Sequence, residues 1–204
     1  KLGFQAHYPQ LETKLALRAD DETALTALLA PAEAEVRKRL GNFIVAEDDQ
    51  TIEGVILGRL LATGSTLAIA ETVTGGHLAA RIAPLPGAER AFRRGTIARD
   101  LAELGATAVA PDQAASVAKA LRASSGASHA LVVLLELDEG ADRPDMGGTI
   151  CIGLADTNGT FTRQARLVGG RDWVRIGATE LGLDCLRRHL LGLPVDERID
   201  FERR

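Results

Sequence analysis

The segment Glu71-Thr72-Val73-Thr74-Gly75-Gly76-His77 gathers two hydroxyls, a carboxylate, an imidazole and a glycine pair in one short run. A threonine hydroxyl oxygen can accept a backbone N–H at a helix start, so Thr72 or Thr74 can cap a helix beginning near His77. Gly75 and Gly76 let a ligand or a second backbone approach closely. The N–H groups left free at a helix start, together with the helix dipole, favour a small anion. The turn therefore has two readings: a capped helix start with no ligand, or an anion-binding turn built from Thr74, Gly75 and Gly76.

The flanking residues supply the elements that would position such a turn. Residues 66–70 are apolar and short, which suits a strand covered on both faces. Leu78, Ile82 and the alanines between them form an apolar helical stripe. Upstream, Asp20 or Asp21 starts a helix carrying Leu25, Leu28, Leu29, Ala32, Val36 and Leu40, stopped by Gly41 and interrupted by Pro31. Residues 15–19 and 43–46 read as short strands. Residues 51–62 form a helix with Ile52, Val55, Ile56, Leu60 and Leu61 on one face. After the breaks at Pro84 and Pro86, residues 92–98 read as a strand. Residues 111–122 read as a helix capped by Asp112. Residues 129–137, 148–155 and 160–168 read as strands, the last two joined by a hairpin at Asp156-Thr157-Asn158-Gly159, with Asn-Gly supplying positive φ angles. Residues 171–191 form a long final helix with Val174, Ala178, Leu181, Cys185 and His189 facing inward. Alternating strands and helices predict an α/β fold, a three-layer α/β/α sandwich with a mixed, mainly parallel sheet and one late β-hairpin.

Composition narrows the classes of function. The chain has 204 residues, 24 Lys plus Arg against 28 Asp plus Glu, and only 3% aromatic residues. A net charge of −4 lacks the basic excess of a nucleic-acid footprint. No apolar run reaches transmembrane length. Cys151 and Cys185 lack metal or redox spacing and read as core residues of a reducing compartment, which places the protein in the cytoplasm. His7, His77, His129 and His189 are scattered in sequence, so neither a metal nor a cofactor is expected. Lysine occurs only at Lys1, Lys14, Lys38 and Lys119.

Three segments carry a family resemblance. Ala70-Glu71-Thr72-Val73-Thr74-Gly75-Gly76 resembles the Ala-Glu-Ser-x-Thr-Gly-Gly signature of the CinA C-terminal domain family of competence/damage-inducible proteins. Pro86-Gly87 through Phe92-Arg93-Arg94-Gly95 is similar to that family's Pro-Gly…Phe-x-x-Gly segment. Gly170-Arg171-Asp172-Trp173-Val174-Arg175 is similar to its late Gly-x-Arg-x-x-x-Arg helix entrance. The resemblance runs from about Ile44 to the end. It implies a boundary near residue 40: residues 1–40 read as the tail of a preceding small domain plus a linking helix, and residues 41–204 as the CinA-like α/β domain.

The resemblance implies an activity, the deamidation of nicotinamide mononucleotide to nicotinate mononucleotide and ammonia. That reaction needs a nucleophile, a base, an oxyanion site and a phosphate anchor. The family's serine is Thr72 here, whose methyl restricts χ1; it reads as a hindered nucleophile or as a cap. Arg99 stands where the family has tyrosine. No lysine follows it, and arginine cannot serve as base. Lys119 is expected on an exposed helix face, which leaves Glu71 and His77 as alternative bases. Glu136, Asp138 and Glu139 replace a Thr-Gly-x-x-Gly-Pro loop and read as a solvated acidic loop. Arg171 and Arg175 could grip a phosphate with forked donors, and Arg93 and Arg94 could add to them. The fold is expected to be kept and the amidohydrolase site to be degenerate, with a small mononucleotide as ligand or a structural role in a homo-oligomer. The alternative is an active amidase using Thr72.

Overall fold

The computed structural model describes residues 1–197 apart from positions 141 and 144. The chain divides into two compact units, Lys1–Ile44 and a larger one beginning at Val45. In the first, β1 (Leu2–His7) and β2 (Gln10–Leu15) pair antiparallel, and α1 (Glu22–Leu40) follows. The strand expected over residues 15–19 is absent, because β2 ends at Leu15 once it has paired with Leu2. Asp21 caps α1 by accepting the Ala24 N–H at 2.8 Å, and Gly41 closes it at φ 53°. Pro31 does not interrupt the helix. Strong helix formers flank it, and the Glu33–Arg37 and Glu35–Arg39 pairs carry the helix past the missing N–H. Of the residues at helical spacing, Leu25, Leu29, Ala32 and Val36 are half-buried and Leu28 and Leu40 are exposed, so no residue of α1 is buried.

The residues expected to form a strand at 43–46 instead leave a 3₁₀ turn (Gly41–Phe43) and continue as irregular chain. Thr51 then caps α2 (Ile52–Ala62), accepting the Gly54 N–H. β3 (Leu67–Thr72), α3 (His77–Ile82), α4 (Ala88–Ala91) and β4 (Phe92–Ala98) come next, then α5 (Pro111–Ser125), β5 (His129–Leu137), β6 (Gly147–Ala155), β7 (Thr160–Val168) and α6 (Arg171–Leu191). Asp112 is not the cap of α5. Proline is favoured at the first helical position, where its missing N–H costs nothing, so Ala110 becomes the cap and Asp112 falls in the first turn.

The five strands of the larger unit lie in the order β4-β3-β5-β6-β7. β4, β3 and β5 run parallel, while β6 and β7 are antiparallel to their neighbours. Alternation along β5 sends Leu131, Val133 and Leu135 into one apolar core and Ala130, Val132 and Leu134 into the other. α2, α3 and α6 cover the first face, and α5 covers the second. A sheet with helices on both faces is the three-layer α/β arrangement expected from the alternating pattern. With few aromatics the layers pack closely: a Cβ at Gly153 of β6 would lie 2.2 Å from the Ala114 carbonyl oxygen of α5.

The hairpin between β6 and β7 forms where expected but by other means. Asn158 does not take a positive φ, and only Gly159 does. Asp156 Oδ1 accepts the N–H groups of Asn158 and Gly159 at 2.7 and 3.0 Å, which closes the turn through its side chain. α6 is buried on every side from Gly177 to Arg188. Its charges are paired, Asp184 accepting from Arg187 and Arg188 at 2.8 and 2.7 Å within the helix and Glu180 accepting from Arg81 of α3. Such pairing is what lets charged groups stay buried.

Candidate functional site

The turn after β3 is strained. Val73 has φ 65°, a left-handed conformation that costs a β-branched residue about 1–3 kcal/mol. Thr74 N–H donates to the Thr72 carbonyl at 2.7 Å, the i to i+2 bond of a γ-turn. Gly75 and Gly76 take φ 73° and 90°, and α3 begins directly after them.

Three side chains hold this turn. Glu71 lies at the end of β3 and is fully buried. Its Oε2 accepts the Thr74 hydroxyl at 2.5 Å and the Leu78 N–H at 3.2 Å, and its Oε1 accepts the Ala79 N–H at 3.1 Å. Leu78 and Ala79 are the second and third residues of α3, the positions a capping side chain normally serves. Gly76 occupies the cap position and has no side chain, so the Glu71 carboxylate from the preceding strand does the capping. Arg175, in the second turn of α6, donates from Nε to the Val73 carbonyl at 3.1 Å and from Nη2 to the Thr74 carbonyl at 3.2 Å.

Neither threonine caps α3, contrary to the sequence expectation. Thr74 donates its hydroxyl to Glu71, and Thr72 points its oxygen elsewhere. Thr72 is 1% exposed, and its Oγ1 accepts the Leu135 N–H of β5 at 3.0 Å. The ladder between β3 and β5 stops at Glu71 and Val133, so this hydroxyl extends the pairing one step beyond the last backbone partner. Glu71, offered as a base, is committed to α3 and Thr74. His77, the other candidate base, is exposed at the first position of α3.

The remaining candidates are dispersed. Arg171 lies one helical turn before Arg175 on the same face of α6, exposed, with Nε donating to Asp142 at 3.0 Å. Arg93 and Lys119 are exposed. Arg94 sits opposite Ala68 at the far end of β4 and reaches Ser124 at 3.4 Å, so it does not join the turn. Arg99 is exposed, and its backbone N–H donates to Glu103. Asp138 accepts both terminal nitrogens of Arg166, at 3.0 and 2.5 Å, and that hydrogen bonding holds its carboxyl below the usual carboxylate range. Glu136 and Glu139 are exposed, but Glu136 lies in β5 opposite Thr149 rather than in the expected acidic loop, because β5 keeps its pairing with β6 as far as Leu137.

Two clusters were not legible in the residue order. Arg81 of α3 donates to Glu53 of α2 and, at 2.6 Å, to Glu180 of α6, joining three helices. At the opposite end of the sheet from the turn, His129, Asp156 and His189 converge, with His189 Nε2 3.2 Å from Asp156 Oδ2. Burial, with the nearby His189 charge, pushes the His129 imidazole below its ordinary value. The signal that could have found this trio is the late hairpin: pairing β5 with β6 puts Ala130 opposite Ala155, and so His129 beside Asp156.

A mixed five-stranded sheet with helices on both faces, and a glycine turn at the carboxyl end of a parallel strand, defines an α/β domain whose site lies beyond a strand end. Residues 49–103 match the family model described as the CinA C-terminal domain. A CinA-like protein from Frankia casuarinae is 35% identical over 210 residues, covering 97% of this chain and 48% of that protein. One from Geobacter metallireducens is 36% identical over 205 residues, covering 93% and 49%. The chain therefore spans about half the length of the curated relatives it matches. The crystal structure of a CinA superfamily protein from Enterobacter cloacae superposes with a TM-score of 0.60 at 20% identity, covering 71% of this chain and 95% of that one. One from Escherichia coli gives 0.57 at 18% identity, covering 74% and 98%. The chain belongs to the CinA C-terminal domain family.

Proposed function

We propose that this chain is a CinA-type domain whose amidohydrolase site is degenerate and whose glycine turn still receives a small mononucleotide. The observation that carries the first half is the use of Thr72. In amide hydrolysis the nucleophilic hydroxyl must give its proton to a base within about 2.6–3.2 Å. Among the described residues, the hydrogen bond of Thr72 Oγ1 is the one accepted from Leu135 N–H. The carboxylate nearest in sequence, Glu71, already accepts three hydrogen bonds. Thr72 acts as a sheet residue.

The second half rests on Gly75 and Arg171. Gly75 is exposed at the start of the turn, and Arg171 projects from the same face of α6 as Arg175, which touches that turn. A guanidinium there suits a phosphate. The test is the melting temperature with millimolar nicotinamide or nicotinate mononucleotide. Stabilisation that is lost in Arg171→Ala supports binding; no shift with either nucleotide removes it. Self-association and a cytoplasmic setting belong to the same proposal, the first checked by light scattering and the second by fractionation of the native cell.

One observation favours a second reading, an active amidase using Thr72. Backbone strain concentrates at functional turns, and the strained Val73 directly follows Thr72. In that case Thr72→Ala abolishes turnover of nicotinamide mononucleotide while the fold persists.

A further inference from the structure

The trio His129, Asp156 and His189 carries chemistry that the turn does not use. We infer that it is a binding site for a divalent transition-metal ion of borderline softness, zinc above all, with two imidazole nitrogens and one carboxylate oxygen as ligands. The three ligand atoms lie within 4.8 Å of one another. A tetrahedral ion with bonds of about 2.0–2.1 Å needs its ligands roughly 3.3 Å apart, a closure that small side-chain rotations supply. Two imidazoles and one carboxylate suit zinc and its neighbours, whereas magnesium and calcium favour all-oxygen sets.

The surroundings orient each ligand. Ser128 Oγ donates its proton to the Thr66 carbonyl at 3.0 Å and accepts the Thr66 N–H at 2.8 Å. Ser128 Oγ also lies 2.9 Å from His129 Nδ1, and the imidazole is the donor there in the tautomer that keeps the hydroxyl proton on the Thr66 carbonyl. That tautomer leaves Nε2 of His129 with a free lone pair for an ion. Orientation of a ligating imidazole through its other nitrogen is the usual arrangement at metal sites. Asp156 divides its oxygens: Oδ1 holds the two backbone N–H groups of the hairpin turn, while Oδ2 accepts from the Asn158 side-chain amide at 3.3 Å and faces His189 Nε2 at 3.2 Å. The Phe161 ring lies 4.6 Å from that of His189, which limits its rotation.

Two neighbouring guanidinium groups are held by backbone carbonyls rather than by the trio. Arg59 Nε donates to the Leu190 carbonyl at 3.2 Å, and Arg122 Nε to the Ser128 carbonyl at 3.0 Å. A cavity of about 140 Å³ opens on the trio, bordered also by Thr63 and Ser65, and leaves room for a water as fourth ligand. Leu67 pairs with His129 at the opposite end of β3 from Thr72, so the trio lies ~17 Å along the strand from the turn. A bound ion would staple the start of β5, the β6–β7 turn and the end of α6.

The test is titration of the chelator-treated chain with zinc chloride, read by calorimetry and by imidazole NMR. Expected are one equivalent bound, movement of the His129 and His189 ring signals but not those of exposed His77, and a higher melting temperature. Asp156→Asn, which keeps an acceptor for the hairpin N–H groups, should weaken binding by at least about tenfold. Absence of saturable binding up to millimolar zinc would overturn the assignment. So would binding that leaves both rings unmoved, or affinity unchanged in Asp156→Asn.

Discussion

Arg175 ties the last helix of the chain to the carbonyl of Val73, Nε to oxygen 3.1 Å, and so holds the one strained β-branched residue of the β3–α3 turn. Nη2 of the same guanidinium takes the next carbonyl, that of Thr74. An arginine that sequence spacing offers as a phosphate clamp is thereby a brace for the loop. Its fork matches two adjacent carbonyls, and lysine presents no such fork. Arg175→Lys should lower unfolding stability by about 1–2 kcal/mol in urea titration, with Arg175→Ala lower still. Unchanged stability in both variants would show that the turn holds itself.

Gly76 meets two separate demands. Its φ of 90° is strained for any residue with a Cβ, and a Cβ there would sit 2.7 Å from Ile97 Cδ1. Gly76→Ala should cost about 2–3 kcal/mol, of which the left-handed backbone accounts for about 1–2. Ile97 is 59% exposed, so shortening it is cheap. The double variant with Ile97→Ala should recover only the steric part, leaving a remainder of destabilisation that a thermal melt can measure. Full recovery would mean the backbone tolerates alanine there.

Glu53 links the stability of the helical face to pH. Burial alone would raise its carboxyl, but the Arg81 hydrogen bond and charge outweigh it and hold the group below its ordinary value. A lowered folded value means a contribution fully present above the ordinary glutamate range, about pH 4.3, and lost as pH falls through the folded value. The stability difference between wild type and Glu53→Gln should therefore shrink on acidification below that range. A difference independent of pH would contradict the ion pair with Arg81.

Much of this architecture can be read from residue order. The strand–turn–helix around Thr72, the late hairpin and the bounds of α6 come from apolar runs, Gly-Gly and Asn-Gly, because local pattern and tertiary burial agree there. The uses of the turn's polar groups cannot be read that way. Glu71 reaches Leu78 and Ala79, Thr72 reaches Leu135, and Arg175 reaches back about a hundred residues to Val73; these partners are set by strand order. For the same reason the hydroxyls that look like helix caps are diverted to a carboxylate and to a neighbouring strand. The trio of His129, Asp156 and His189 likewise exists only once β5, β6 and α6 are assembled.

Cys151 illustrates a group whose environment removes its chemistry. It is fully buried, and burial with the Asp112 charge pushes its thiol up to about 11. The thiolate is the reactive form, so iodoacetamide should leave Cys151 unmodified in the native protein at neutral pH and label it in denaturant. Peptide mass mapping reads the outcome. Rapid native labelling would contradict the packing of β6 against α5.

The central claim is that the Thr72 turn is a structural turn that no longer cleaves an amide. The most direct measurement is a single-turnover incubation, with the protein in molar excess over nicotinamide mononucleotide and both ammonia and nicotinate mononucleotide quantified. The expected result is intact nucleotide, with the same zero yield from wild type and Thr72→Ala. Conversion by the wild type that disappears in Thr72→Ala would contradict it.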